Sequence, residues 1–227
     1  MKIISWNIMF NHPLPLSQRI LNIKKLIPSD TNVICFQEVL KSDTDLVSKT
    51  FSNYKLIVKP ANTYGQLVMI KTSGEPRVYK DEIPLYTKQG RVANKISIRS
   101  DSQDPPLNLD IFTFHLESMP YNVEARMNQM VEIYKHINTS TLTILCGDTN
   151  MSPLEHHLFG PFVKDIAAML DDEQPTYFGD RFGKYASQKR YDKAFICGDN
   201  PVSLDYIRLD EQNLVSDHDG LIIDLKL

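Results

Sequence analysis

The chain predicts an α/β fold in which two mixed sheets pack face to face with helices outside them. Three observations carry this. Apolar runs of strand length recur from one end to the other, amphipathic helical segments fall among them, and their order is not the strict strand–helix alternation of a single parallel sheet. The order reads strand–helix–strand–helix, then several strands, one further helix, and finally strands separated by loops.

The strand-length runs are Lys2–Trp6, Asn32–Phe36, Leu67–Ile70, Ala93–Ile98, Leu109–Phe114, Leu142–Cys146, Lys193–Ile196 and Leu221–Leu225. Each is short, rich in β-branched residues and bounded by turn residues, which favours strands over pieces of buried helix. One helix is expected from a Ser17 cap through Ile20, Ile23, Leu26 and Ile27, stopped by Pro28. Another runs from about Tyr121 through Met127, Met130, Val131, Tyr134 and Ile137. Its apolar residues fall at steps of three and four, so its methionines are expected in the core. The stretch from Asp148 to Arg190 is long and poor in strand signals, the kind of loop that often carries function.

The 227 residues are 42 % hydrophobic, with 13 prolines and 9 glycines scattered rather than gathered into a linker. One domain spanning residues 1–227 is expected. The net charge of −3 confines any contact with a polyanion to a local patch, since proteins that cover nucleic acid over a wide face are ordinarily basic. Cys35, Cys146 and Cys197 stand far apart in apolar runs, as buried free thiols in a reducing compartment do, and show no zinc or disulfide spacing. The N-terminal MKIISWNIMF reads as a first strand rather than a signal peptide, and no apolar stretch is long enough to span a membrane. Cytosol or nucleus is the expected location.

Chemistry enters where apolar runs stop. Asn7 follows Trp6, and Gln37-Glu38 follows Phe36. His115 follows Phe114 and continues into Leu116-Glu117-Ser118. Gly147-Asp148-Thr149-Asn150 follows Cys146, Asp192 stands in Arg190-Tyr191-Asp192, and Ser216-Asp217-His218 precedes the last strand. Taken singly, each is what a turn or a helix cap supplies. Together they place acids, amides and two histidines at six strand ends, and strand ends of a sandwich can converge on one edge. The chemistry such a set suits is phosphoryl transfer. Glu38 is the natural first ligand of a hard cation, with Asp217 as a second and Asn7 in support. Asp148 is placed to orient and deprotonate an attacking water, with Asn150 helping to hold it. His115 and His218 are placed to donate to the non-bridging oxygens, and Asp192 to fix the ring of His218.

The segments SWNI at Ser5–Ile8, FQEV at Phe36–Val39, HLES at His115–Ser118, ARMNQM at Ala125–Met130, GDTN at Gly147–Asn150, RYDKAF at Arg190–Phe195 and SDH at Ser216–His218 resemble, in this order, the endonuclease/exonuclease/phosphatase superfamily. The finer resemblance is to enzymes of the tyrosyl-DNA phosphodiesterase 2 type. It implies a four-layer α/β/β/α sandwich and an Mg²⁺-dependent hydrolase, with Mn²⁺ as a substitute. The bond implied is the 5′-phosphotyrosyl bond between DNA and a protein tyrosine. The implied substrate is a single-stranded 5′ DNA end, RNA being the variant, with a trapped topoisomerase as the adduct and a monomeric enzyme. Ser118, Tyr177 and Arg190 are the implied substrate contacts. Two departures stand out. Met151-Ser152-Pro153 follows GDTN where the family has an Arg, and Thr176-Tyr177 stands where it has a threonine–tryptophan pair. Tyr177 retains an aromatic face on which a base can stack.

Two basic clusters are candidates for tracking a strand of nucleic acid: Lys71, Arg77, Lys80, Lys88, Arg91, Lys95 and Arg99, diluted by Glu75, Asp81 and Glu82; and Arg181, Lys184, Lys189 and Arg190. A solvated face is an equal reading of both. His12 and the His156-His157 pair are read as surface residues. Other activities on the same fold, an abasic-site endonuclease or a lipid or inositol phosphatase, are the enzymatic alternatives. A non-catalytic binding module is disfavoured because all six polar positions are filled.

Overall fold

The computed structural model describes residues 1–72, 76–100, 106–152, 155, 162–183 and 187–226. Lys184, Glu75, Pro153 and the His156-His157 pair lie outside these. The strands are β1 Lys2–Asn7, β2 Val33–Leu40, β3 Tyr54–Val58, β4 Tyr64–Lys71, β5 Arg77–Pro84, β6 Val92–Ser100, β7 Leu107–His115, β8 Leu142–Asp148, β9 Lys164–Asp165, β10 Tyr177–Phe178, β11 Gln188–Lys189, β12 Asp192–Cys197, β13 Val202–Ile207 and β14 Gly220–Leu225. The helices are α1 Leu16–Leu26, α2 Thr44–Thr50, α3 Val123–Lys135 and α4 Ile166–Met169.

Two six-stranded mixed sheets result, in the orders β13-β14-β1-β2-β4-β3 and β5-β6-β7-β8-β12-β9, with β10-β11 as a separate hairpin. Between the sheets lie Ile3, Val33, Cys35, Val68 and Ile70 from one and Ile96, Ile98, Leu109, Ile111, Ile144 and Cys146 from the other. Leu16, Ile20 and Ile23 of α1 cover the outer face of the first sheet against Trp6, Phe36 and Met69. Met130 and Ile133 of α3 cover the second against Phe112, Phe114, Leu145 and Phe195. The result is the four-layer α/β/β/α sandwich. All three cysteines are buried and free, as their sequence setting implies.

Three local expectations are corrected. The structure begins α1 at Leu16 after Pro15, with no side-chain cap, so Ser17 lies inside the first turn rather than at its boundary. A short 3-10 turn, Pro120–Asn122, precedes α3, which starts only at Val123. Met130 is in the core, but Met127 is 36 % exposed, because it falls a further step around the helix from the buried face.

One topological feature positions everything that follows. Each sheet is antiparallel except for one central pair: β1 runs parallel to β2, and β7 parallel to β8. Asn7 therefore lies level with Gln37, and His115 level with Asp148. Antiparallel β12 starts with Asp192 opposite Asp148. Antiparallel β14 starts near the end of β1, so the segment leading into it, Ser216–His218, arrives at the same edge. No helix among the described residues is long and apolar enough to cross a membrane.

Candidate active site

Asp148 is the centre of the convergence. It is 2 % exposed. Its Oδ2 accepts the Asn7 amide at 3.0 Å, and its Oδ1 accepts the Asn150 backbone N–H at 2.9 Å. The preceding Gly147 is obligatory, because a Cβ there would stand 2.0 Å from the Phe114 carbonyl oxygen. This close approach lets β7 and β8 finish side by side. Asn150 adopts a left-handed φ of 51° and donates its side-chain amide to the Leu116 carbonyl at 3.2 Å, tying GDTN to HLES.

Glu38 is brought in by an irregularity of the strand. The register of β2 against β4 shifts between Phe36 and Val39, and Glu38 itself has a φ of 58°. A left-handed Glu is strained, and bulges of this kind re-aim side chains beside active sites. The carboxylate accepts the Phe10 N–H at 3.2 Å through Oε2, while Oε1 lies 3.9 Å from His115 Nε2. Burial raises the Glu38 pKa; Asp148 and Asp217 add to this as like charges, and His218 and Asn7 oppose it.

The two histidines are set in opposite charge states. His115 Nε2 lies 3.5 Å from Asp148 Oδ2, and its Nδ1 lies 3.0 Å from Arg91 Nη1. A guanidinium only donates, so Nδ1 accepts and the ring proton sits on Nε2, facing the carboxylates. Burial first, and then Arg91, pull the His115 pKa down to about 3, so the ring is neutral. His218 is equally enclosed, but its Nδ1 meets Asp192 Oδ2 at 2.7 Å. Burial lowers its pKa, yet Asp192, Asp148 and Asp217 outweigh burial and raise it to about 10, which makes it an imidazolium. Its Nε2 is 3.9 Å from both Asp148 Oδ2 and Asp217 Oδ1. The segment is anchored by Trp6, which donates to the His218 carbonyl at 2.9 Å, and by Ser216, which donates to the Asn7 carbonyl at 2.7 Å.

Glu38, Asp148 and Asp217 thus interact as like charges in one buried space with an amide beside them. Such a set of oxygen donors fits a hard divalent cation. Asp148, Asp192 and His218 also bring ligand atoms within 4.8 Å of one another. There, however, His218 holds Asp192 through Nδ1, and an imidazolium has no lone pair to offer a metal. That trio is a charge cluster in which His218 is hydrogen-bonded to Asp192 and only near Asp148.

No protein-family profile matches the chain. Over 99 % of its length it is 27 % identical to tyrosyl-DNA phosphodiesterase 2 of Homo sapiens, covering 68 % of that protein. Its structure superposes with a TM-score of 0.85 on the D. rerio counterpart complexed with a single-strand DNA product, at 21 % identity and covering 100 % of this chain and 99 % of that one. It superposes with a TM-score of 0.78 on an endonuclease/exonuclease/phosphatase from Bacteroides vulgatus, at 16 % identity, covering 100 % and 98 %. The chain has the fold of these proteins and is similar in sequence to tyrosyl-DNA phosphodiesterase 2. It is an enzyme of the metal-dependent hydrolase class, similar to a phosphodiesterase.

Among the remaining candidates, Tyr177 does reach the site. It bridges to His218, and its ring lies 5.0 Å from the His218 ring and 5.2 Å from that of Tyr191. Ser118 is held by Arg91, which donates to its Oγ at 2.9 Å. Arg190 is not among the converging groups: Asp165 grips it at 3.0 and 2.7 Å, and Glu173 at 2.7 Å. The first basic cluster is committed in part, while Lys80 and Lys88 stay exposed. Lys95 and Arg99 are paired with buried Asp110 across β6 and β7, and Lys71 donates to the Ser29 carbonyl. In the second, Arg181 is paired with Asp219 at 2.7 Å. His12, read as a surface residue, is only partly exposed and packs edge-on against Phe182.

Two arginines that the sequence did not single out prove central. Arg91, read only as part of a basic cluster, fixes both His115 and Ser118. Arg19, on α1 and 4 % exposed, donates to the carbonyls of Ile8, Met9 and Val215, joining the segment after Asn7 to the one before Asp217. The ARMNQM segment has a supporting part. Arg126 holds the Glu117 and Met119 carbonyls and pairs with Glu155, while Gln129 accepts the Glu117 N–H at 2.9 Å. This explains why that helix accompanies HLES.

Proposed function

We propose that the chain is an Mg²⁺-dependent phosphodiesterase that hydrolyses the 5′-phosphotyrosyl bond between DNA, or RNA, and a protein tyrosine, leaving a 5′-phosphate. One observation carries this reading. A buried carboxylate, Asp148, is flanked within 3.9 Å by a neutral histidine and a charged one, both presenting Nε2. That is an arrangement for stabilising a phosphoryl group rather than for binding a neutral ligand. The likeness to tyrosyl-DNA phosphodiesterase 2, one relative of which holds a single-strand DNA product, supports the substrate.

Glu38 and Asp217 would hold the cation, which when bound polarises a phosphoryl oxygen and neutralises charge in the transition state. Asp148 orients a water and accepts its proton as the water oxygen bonds to phosphorus, and Asn150 and Asn7 fix the carboxylate. His115 and His218 donate through Nε2 to non-bridging oxygens. Asp192 keeps His218 charged, and Arg91 keeps the His115 proton on Nε2. As the water attacks, the bond from phosphorus to the tyrosyl oxygen breaks. Tyrosine has a pKa of about 10, so the phenolate leaves without a strong general acid. Tyr177 and Ser118 contact the nucleic-acid end.

The test is hydrolysis by purified protein with Mg²⁺ of a 5′-phosphotyrosyl oligonucleotide, an abasic duplex and sphingomyelin. Release of tyrosine from the first is expected. Turnover of either of the others without it would overturn the assignment.

A further inference from the structure

The site has two flanks. On the β12 side stand the rings of Tyr177 and Tyr191. On the opposite side, past β7 and β6, two loops meet: the one from Pro84 to Arg91 and the turn from Ser118 to Asn122. They are stitched together. Ser118 N–H donates to Gln89 Oε1 at 2.9 Å, Arg91 donates to both Gln89 Oε1 and Ser118 Oγ, and Gln129 donates to the Tyr86 carbonyl at 2.8 Å.

From this rigid double loop three large side chains stand in solvent: Tyr86 at 66 %, Met119 at 49 % and Tyr121 at 76 % exposure. Met119 is also strained, with a φ of 77°. Four hydrogen bonds maintain that turn, one of them from the Asn122 side-chain amide to the Ser118 carbonyl at 2.7 Å. Arg126 holds the carbonyls of Glu117 at 3.1 Å and Met119 at 2.8 Å, and Asn122 N–H donates to the Met119 carbonyl at 3.1 Å. A buried arginine spent on keeping an exposed methionine in an unfavourable conformation, one residue from Ser118, points to function.

We propose that Tyr86, Met119 and Tyr121 form a platform for the polypeptide that flanks the adduct tyrosine. The inference rests on the phosphotyrosyl reading above and adds the protein side of the substrate to it. Three features favour a peptide over a nucleic-acid strand. The platform is continuous with the site through Ser118 and Arg91. Arg91 is committed to His115, Gln89 and Ser118, which leaves the exposed Lys88 as the cation offered by the described residues of the two loops, and Glu124 adds a carboxylate just beyond Tyr121, so a phosphate chain meets one cation and one like charge there. A methionine between two tyrosines is an adaptable, amphipathic surface suited to varied peptide sequences.

The test compares two substrates of one oligonucleotide, one ending in a single tyrosine and one in a tyrosyl decapeptide. Wild-type KM should be lower for the peptide substrate by about fivefold to tenfold, the scale of a few exposed aromatic contacts. The triple variant Tyr86→Ala, Met119→Ala, Tyr121→Ala should erase that difference while its kcat and KM on the single-tyrosine substrate match wild type, which also certifies its fold. Failure of wild type to cleave either substrate rejects the phosphotyrosyl reading and this inference with it. Cleavage of both with equal KM, or a retained peptide advantage in the variant, rejects the platform alone. A variant defect that scales with oligonucleotide length would show that the surface reads nucleic acid, and would overturn the proposal equally.

Discussion

Replacing Lys193 with methionine should stabilise the chain, by an amount that depends on pH. Lys193 lies in β12 opposite Gly147 and alternates with Asp192, so it faces away from the site toward the α3 layer. It is 1 % exposed, and its Nζ has no hydrogen-bond partner among the described residues. Burial, reinforced by Arg190 and only partly offset by Asp165, Glu155 and Asp148, lowers its pKa from 10.5 to about 7. The folded-state pKa is thus depressed for a base, so the unfolded chain binds this proton more tightly. The penalty on folding is full below the folded pKa and disappears as pH rises through the unfolded one. At about 1.4 kcal/mol per decade, the penalty approaches about 5 kcal/mol at pH 6 and falls to about 1 kcal/mol at pH 9.5. Methionine is close in length and needs no partner. Urea unfolding of both proteins across this range should show the variant more stable, with a gap that narrows as pH rises. Phosphodiesterase turnover should change by less than about twofold, within the small effects expected away from functional features. A gap that is flat with pH, or a less stable variant, would refute the claim that an unpaired ammonium is buried there.

Asp192→Asn removes the largest of the charges that hold the His218 pKa up at about 10, leaving burial opposed only by Asp148 and Asp217, so the pKa falls. kcat should fall by about 10²–10³-fold, and the alkaline limb of the kcat/KM profile should move down from about pH 10; a limb left in place would show that His218 is not the group reporting. Gly147→Ala would drive a Cβ into the Phe114 carbonyl and should cost about 3 kcal/mol or more, read as a lowered urea midpoint. Glu38→Ala should raise the Mg²⁺ concentration for half-maximal rate by at least about tenfold, since it removes one of the two carboxylates proposed to hold the ion; an unchanged metal titration would place the ion elsewhere.

The central strands were legible because both of their faces are buried and they read as nearly continuous apolar runs. The edge strands were not. β3, β5 and β13 carry sequences such as YKLIV, RVYKDEIP and VSLDYI, in which charges and polar groups face water along half the strand. Charged edges guard against pairing with other chains, and they hide the strand from an apolar-run search. The site was legible where it sits at strand ends, since a polar residue stopping an apolar run is visible in one dimension. It was illegible where a side chain arrives from elsewhere in space. Arg91 and Arg99 look alike in sequence, yet one reaches His115 and the other closes on Asp110 across β6 and β7. Arg190, next to a site tyrosine, is turned away by Asp165 and Glu173, which no local pattern announces.

The pairing of the two histidines explains why the site needs both arginine and aspartate in its second layer. Both rings are buried, and burial alone would leave both neutral at physiological pH. Arg91 against Nδ1 deepens that tendency at His115, and Asp192 against Nδ1 reverses it at His218. Each ring therefore presents an Nε2–H whose protonation is fixed over several pH units on either side of neutrality. In the proposed reaction a phosphoryl group entering between them would meet one dipolar donor and one full positive charge, with no proton to gain or lose before the chemistry begins. Such preorganised donors cost no rearrangement as charge grows on the non-bridging oxygens. Two imidazolium rings would instead repel one another and bind the cation's carboxylates too tightly, whereas two neutral rings would leave the developing charge without a full positive counterpart beyond the metal.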